Sequence, residues 1–225
     1  MRPAQPPNGW SGNGGRRFRL VLQRKCKRSA ESTEISFGRD AGKVPPRPGV
    51  DETMTLPIDT REFVLHDRRI VRVRPLQSAD RATYERAVLD LSPRSRYLRF
   101  FAPIAKPSQR LLDQMTRTDG HRHVAYVALT PDETTAVGVV RYVRAADALQ
   151  VGEVAIAVAD DWQGRGLGGQ LLRHTVEHAR LAGLESLAAT TLRENSGGPR
   201  LLQAAGFSVI GGSGPYREHQ MQLQR

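Results

Sequence analysis

The residues most able to do chemistry lie between 153 and 195. The stretch DDWQGRGLGGQLL (160–172) carries four glycines, Gly164, Gly166, Gly168 and Gly169, within six positions, and Arg165 stands between the first two. It follows the apolar run VAIAVA (154–159) and leads into a helix-like pattern. A strand, a glycine turn and a helix start in that order present free backbone N–H groups and the positive end of a helix dipole, which together attract phosphate. Glycines permit close backbone approach, and an arginine can add a fork of donors. One residue before the apolar run stands Glu153. On a strand it shares a face with Ala155, Ala157 and Ala159, while Val154, Ile156 and Val158 take the other. Small neighbours leave room for a substrate, and a carboxylate in a partly apolar site can accept a proton.

Three phosphate-binding patterns compete for the turn. A P-loop needs Gly-Lys-Ser/Thr at its end, but Lys106 is the last lysine in the chain. The dinucleotide pattern G-x-G-x-x-G matches Gly164, Gly166 and Gly169. It requires the first turn of a βαβ unit and an acidic residue ending the next strand; Glu185 precedes its strand, and Asp160–Gln163 part the first strand from the glycines. The third pattern, Q/R-x-x-G-x-G/A, is met by Gln163, Gly166 and Gly168.

That third pattern resembles the acetyl-CoA signature of the GNAT (Gcn5-related) N-acetyltransferases. Asn195 before a short helix ending in Gly206-Phe207 is similar to the N…GF segment of the same family. The resemblance spans Arg69 to Leu223 and implies a GNAT-like α/β fold, a central mixed sheet flanked by helices. It also implies acetyl-CoA as co-substrate, no metal, and an amine as acceptor. Backbone around Ile156, Ala157 and Val158 would splay from its neighbour and pair with the pantetheine arm. Backbone N–H groups of Gly164, Arg165, Gly166, Leu167, Gly168 and Gly169 would hold the pyrophosphate, Gln163 would belong to the same cofactor site, and Asn195 would bond the pantetheine or the reacting region. The Val158 N–H would donate to the thioester oxygen. Glu153 would be the general base. Many members place a tyrosine in the N…GF helix as general acid; here that position is Leu202, leaving Tyr216, water or no acid at all. The segment LSPRSRYLRFF (91–101) is similar to the first helical region of bacterial protein lysine acetyltransferases of the Pat type, which points to a protein lysine as acceptor. Pat-type proteins commonly add a cyclic-nucleotide-binding or acyl-CoA-synthetase-like regulatory domain, and no such domain is expected in this chain. A small-molecule amine acetyltransferase and a non-catalytic acyl-CoA sensor stay open beside the lysine reading.

The elements that must position these groups read as one mixed α/β domain over 61–225. Strands are predicted at 69–74, 123–129, 136–143, 151–159, 187–191, 207–210 and 216–223. Helices are predicted from Ser78 as cap to about Leu91, from Ser92-Pro93 through SRYLRFF, over Ser108–Arg117, over Gly166–Ala182 and over Pro199–Ala205. In the long helix Leu167, Leu171, Leu172, Val176 and Ala179 form one apolar side. That helix also carries His174-Thr175-Val176-Glu177-His178, an H-x-x-E-H arrangement. Glu177 falls opposite the apolar side among arginines, so no zinc is expected there.

Residues 1–60 form a Pro-, Gly- and Arg-rich segment with the profile of a disordered tail. Seven basic residues cluster in RRFRLVLQRKCKR (16–28). This is a nucleic-acid or anionic-surface patch, a solvated tail, or a stretch upstream of a true start at Met54. The net charge of the chain is +11. Cys26 is its single cysteine, which excludes an internal disulfide and a cysteine metal cluster. No apolar run reaches the roughly 18 residues of a membrane helix, and the first residues lack the apolar core of a secretory signal. The expected compartment is the cytoplasm, with no membrane partner.

Overall fold

A computed structural model describes residues 60–146 and 148–223. The basic cluster 16–28, Cys26 and Met54 lie outside them.

Eight strands form one mixed sheet in the order β1-β2-β3-β4-β5-β6-β8-β7. They are β1 (Arg61–Val64), β2 (Ile70–Pro75), β3 (His123–Leu129), β4 (Ala136–Ala145), β5 (Ala148–Val158), β6 (Ser186–Leu192), β7 (Ser208–Gly211) and β8 (Tyr216–Gln222). The helices are α1 (Arg81–Asp90), α2 (Pro93–Phe100), α3 (Gln109–Thr116), α4 (Leu167–Leu181) and α5 (Gly197–Ala204). β1 to β5 run antiparallel in sequence order, β6 joins β5 in parallel after the α4 crossover, and β8 lies antiparallel between β6 and β7.

Each face of the sheet has its own core. On one, Leu167, Leu171, Leu172, Val176 and Ala179 of α4 and Leu202 of α5 pack onto Val140, Tyr142, Val154 and Leu187. On the other, Tyr84 and Val88 of α1 and Leu111, Leu112 and Met115 of α3 cover Ala125, Val127 and Val139. Pleat alternation therefore divides β5 as its sequence predicts: Val154, Ile156 and Val158 belong to the α4 side, and Glu153, Ala155 and Ala157 face the α1–α2 side.

Two local expectations need correction. Ser78 opens a short 3-10 turn (Ser78–Asp80) and caps nothing; the Asp80 carboxylate instead takes the Gln77 N–H, at 2.8 Å, and holds Arg74 bidentately at 2.8 Å. β1 was not foreseen, because four residues, REFV, are too short for an alternation to stand out. Ser92 and Ser108 cap α2 and α3: each side chain accepts a backbone N–H three residues on.

Candidate active site

The site follows from how unequally β5 is paired. Its β4 edge is paired at Ala148 and, past a register shift, from Gly152 to Val158. Its β6 edge is paired only from Val151 to Glu153, with Ser186 to Ala188. Beyond Ala188, β6 stays with β8 as far as Leu192 and leaves β5. Backbone polar groups alternate between the two edges of a strand. The Ala159 N–H donates to Val137 O on the β4 side at 2.9 Å, and Gln150 O accepts from the Glu185 N–H on the β6 side at 2.8 Å. Even-numbered residues of β5 thus turn their N–H and C=O toward β6, and those of Ile156 and Val158 face the opened edge. The Gln163 carboxamide donates to the Val158 carbonyl there, at 3.0 Å.

A cleft of about 410 Å³ fills this opening. It is walled by Ile156, Ala157 and Val158, by the glycine turn, by Ser95, Leu98 and Arg99 of α2, and by Asn195, Gly197, Gly198 and Leu201 at α5.

The turn is built for an anion. Gly164 (φ 71°) and Gly166 (φ 88°) hold left-handed conformations, and α4 begins with Gly166 as its cap, without a capping side chain. The first intrahelical bond runs from the Gln170 N–H to Gly166 O, at 3.1 Å. The N–H groups of Leu167, Gly168 and Gly169 are therefore left for a ligand. A Cβ on Gly166 would strike the His66 ring at 2.6 Å, whereas one on Gly164 or Gly169 would meet nothing within 4 Å.

Two residues of the turn keep their side chains out of the cleft. The Arg165 guanidinium donates to Asp161 O at 2.8 Å and pairs with Asp67 in the β1–β2 hairpin. It is committed to tying the turn to the hairpin, and Arg165 does not line the cleft. The Leu167 side chain is fully buried under the sheet, so this residue can offer the cleft its backbone N–H alone.

Asn195 accepts the Gly197 and Gly198 N–H groups on Oδ1, at 3.1 and 2.8 Å. It organises the start of α5, and its Nδ2 donates to no described residue. In α5, Leu202 is 4% exposed within the core, while Leu201 lines the cleft. No side chain of that helix supplies an acid. Tyr216, at the start of β8, packs its ring 5.5 Å from Phe101.

Glu153 sits where β6 and β5 part, opposite Val143 on one side and Ala188 on the other. Burial pushes its carboxyl above the usual value, and the Arg99 charge partly offsets this. Arg99 was not singled out from the sequence; α2 brings it in. That helix is fixed by Asp160, whose carboxylate accepts from Ser92 N and from the Ser92 and Ser95 hydroxyls at 2.8, 3.0 and 2.6 Å. Also unforeseen is Arg141, 2% exposed on β4. One nitrogen meets His123 Nε2 at 3.1 Å, Nε and Nη2 have no partner among the described residues, and burial pulls the guanidinium down to about 10.

The H-x-x-E-H residues serve packing. His174 lies 4.4 Å from the Tyr126 ring, His178 Nδ1 is 3.1 Å from the Tyr142 hydroxyl, and Glu177 reaches out to Arg61. Among the described residues no group of three or more His, Cys, Asp or Glu could hold a metal ion, and no helix is long and apolar enough to cross a membrane.

Residues 89–207 match the acetyltransferase (GNAT) family. The chain is 36% identical to the acetyltransferase PA5475 of Pseudomonas aeruginosa over 145 residues, 64% of this chain and 77% of that protein. Its fold is similar to the GNAT domain of S. lividans PAT, with a TM-score of 0.69 and 28% identity, covering 73% of this chain and 97% of that one. It is also similar to yncA of Salmonella typhimurium, whose structure contains its cofactor acetyl-CoA (TM-score 0.51, 19% identity, 68% and 94% covered).

Proposed function

The chain belongs to the GNAT acetyltransferase family and is an acetyl-CoA-dependent acyltransferase; we propose that it acetylates the ε-amine of protein lysines, with Glu153 as general base. The observation that carries the mechanism is the half-open β6 edge of β5, which ends at Glu153.

The arm of acetyl-CoA pairs with the free backbone of Ile156 and with the Val158 N–H. Its pyrophosphate lies on the N–H groups of the glycine turn and of Leu167, Gly168 and Gly169, and Asn195 bonds the arm from the far wall. Distance along the strand decides which N–H takes the thioester oxygen. At about 3.3 Å per residue, Val158 is some 17 Å from Glu153 and Ile156 about 10 Å. Ile156 is the better donor, within reach of Glu153 through the attacking amine and a bridging water. Val158 serves the arm.

The lysine arrives as an ammonium ion and must lose a proton. Glu153, made more basic by burial, accepts it through water. The free amine attacks the thioester carbon, and the Ile156 N–H stabilises the oxyanion. A C–N bond forms, the C–S bond breaks, and CoA leaves as a thiolate that takes its proton from solvent. Leu201 and Leu202 offer none.

The lysine assignment rests on the likeness to the S. lividans PAT domain and on α2, which lines the cleft through Ser95, Leu98 and Arg99. It is tested by CoA release with lysine peptides, peptides carrying only a free N-terminus, polyamines and free amino acids. Lysine peptides should turn over fastest. Faster transfer to the small amines would overturn the lysine assignment. Acetyl-CoA binding with no transfer to any amine would favour a sensor.

A further inference from the structure

We infer that the acceptor lysine is taken in an acidic setting: Arg99 pairs with an aspartate or glutamate side chain one or two residues from that lysine in the target protein. The inference rests on the lysine reading above and narrows its substrate.

Elsewhere in the domain arginines find carboxylates. Arg72 pairs with Glu62 and Glu133, Arg74 with Asp80, Arg81 with Asp113 and Arg165 with Asp67. On α2 the pattern changes. Arg94 and Arg96 donate to the backbone carbonyls of Glu194 and Ala105, at 3.4 and 3.0 Å. Arg99 approaches Met115 Sδ at 4.0 Å and lies 5.0 Å from the centre of the Phe100 ring. Among the described residues no carboxylate pairs with any of these three, and Arg99 is the one that lines the cleft. A second cation stands near it. Arg141 lies opposite Ala155, on the Glu153 face of the sheet. It is 2% exposed, meets His123 Nε2 and the Tyr84 ring, and leaves two nitrogens without a partner among the described residues. Burial weighs most on both Glu153 and Arg141, and the Arg99 charge bears on each of them.

This side of the cleft is therefore cationic and lacks a counter-charge, yet the acceptor enters it as an ammonium ion. Like charges repel, the more so where water is excluded. A lysine that brings a carboxylate beside it removes the conflict. Its ammonium goes to Glu153, and the carboxylate takes the Arg99 fork, whose planar donors suit two parallel N–H···O bonds. Arg141, buried behind, adds its field to the attraction without touching the substrate.

The test is steady-state acetylation, by the full chain, of lysine peptides that differ only beside the lysine: Asp or Glu, Asn or Gln, or Arg. Carboxylate and carboxamide share a shape and differ in charge. The acidic peptide should have a kcat/KM about tenfold above the amide peptide, as for a hydrogen bond to a charged group, and the Arg peptide should be slowest. Arg99→Gln should bring the acidic-to-amide ratio close to one, and Arg99→Glu should turn the preference toward the Arg peptide. The ratio compares two peptides on one enzyme, so effects of the variant on the base or on folding cancel from it. Equal rates for the acidic and amide peptides in the native chain would overturn the inference, and that measurement needs no variant. A preference that survives Arg99→Gln would also overturn it, as would free lysine outrunning the acidic peptide, since its carboxylate is then the one recognised. Turnover of polyamines with no lysine peptide accepted, whatever its neighbours, would instead remove the lysine reading and the inference with it.

Discussion

The two edges of β5 share eleven residues and differ in what completes them. The β4 edge is closed by protein without a break from Gly152 to Val158, past the point where β6 departs. The β6 edge is closed over three residues and then abandoned. Unpaired backbone at a sheet edge invites another strand, and here α2, the glycine turn and α5 wall the gap so that a narrow chain can enter. The difference separates two demands within one strand. The β4 edge holds the fold, and in the proposed mechanism the β6 edge is left for the substrate. Substitutions on the two edges should therefore fail in different ways.

The largest expected effect comes from Glu153, the last residue paired on both edges. Glu153→Gln should lower turnover by about 10²- to 10⁴-fold, the range for a lost general base, with acetyl-CoA affinity unchanged by calorimetry. Burial raises this carboxyl above its ordinary 4.5. Activity at low substrate should rise with pH along a limb displaced upward from that value, and the limb should disappear in the variant. Because the folded-state value is raised, the ionised group opposes folding at neutral pH. The inactive variant should thus melt slightly higher than the native chain.

Proline can then delete one edge at a time. Ile156→Pro removes an N–H from the open edge and leaves the ladder to β4 intact. Turnover should fall about 10²- to 10³-fold, as for a lost oxyanion donor, with the melting temperature little changed. Ala157→Pro, one residue on, removes an N–H that faces Val139. It should lower the melting temperature sharply, since proline is not tolerated in a paired strand interior. Equal behaviour of the two variants would break the comparison.

How much of this was legible in sequence depends on the range of the cause. The glycine turn was readable because close approach to a phosphate is a demand on consecutive residues. The two faces of β5 were readable because pleating has period two. Arg165 was misplaced in its side chain, since its partner Asp67 lies 98 residues away and nothing periodic joins them. The Arg99 charge acts on Glu153 from α2, whose start Asp160 pins through another long-range contact. Leu201 and Leu202 differ by the 100° step of a helix, and packing alone decides which of them meets the cleft. The choice of thioester donor between Val158 and Ile156, which rests on the proposed base, turns on a distance along the strand that matters once pairing fixes where the opening begins.

Acid should strike the closed region through different groups. His178 is pulled down to about 4, and His174 is also lowered, by burial on the α4 face against Tyr126 and Tyr142. A lowered histidine binds fewer protons folded than unfolded. Its contribution to stability is therefore complete above about 6.5 and fades as pH falls from there toward 4. Both rings are half-buried, so the loss should be about 1–2 kcal/mol after allowing for solvent screening. Melting followed by circular dichroism over that window should show it, and His178→Phe should flatten the slope. Glu153→Gln should steepen it, because the raised Glu153 carboxyl favours folding as pH falls and partly offsets the histidines.

The smallest effect is the most pointed, because it moves the two demands in opposite directions. Gly169 lies in the first turn of α4, and a Cβ there would meet no protein atom within 4 Å. Alanine is the better helix former by about 0.5–1 kcal/mol, so Gly169→Ala should raise the melting temperature by roughly 1–4 °C. The empty space beside it is space the pyrophosphate needs, and the added methyl should weaken CoA and acetyl-CoA alike by a few-fold. Higher stability with lower affinity would mean that this glycine is kept for the ligand's approach. A stabilised variant that binds CoA as before would place the pyrophosphate farther toward Gly164, where the same open space recurs.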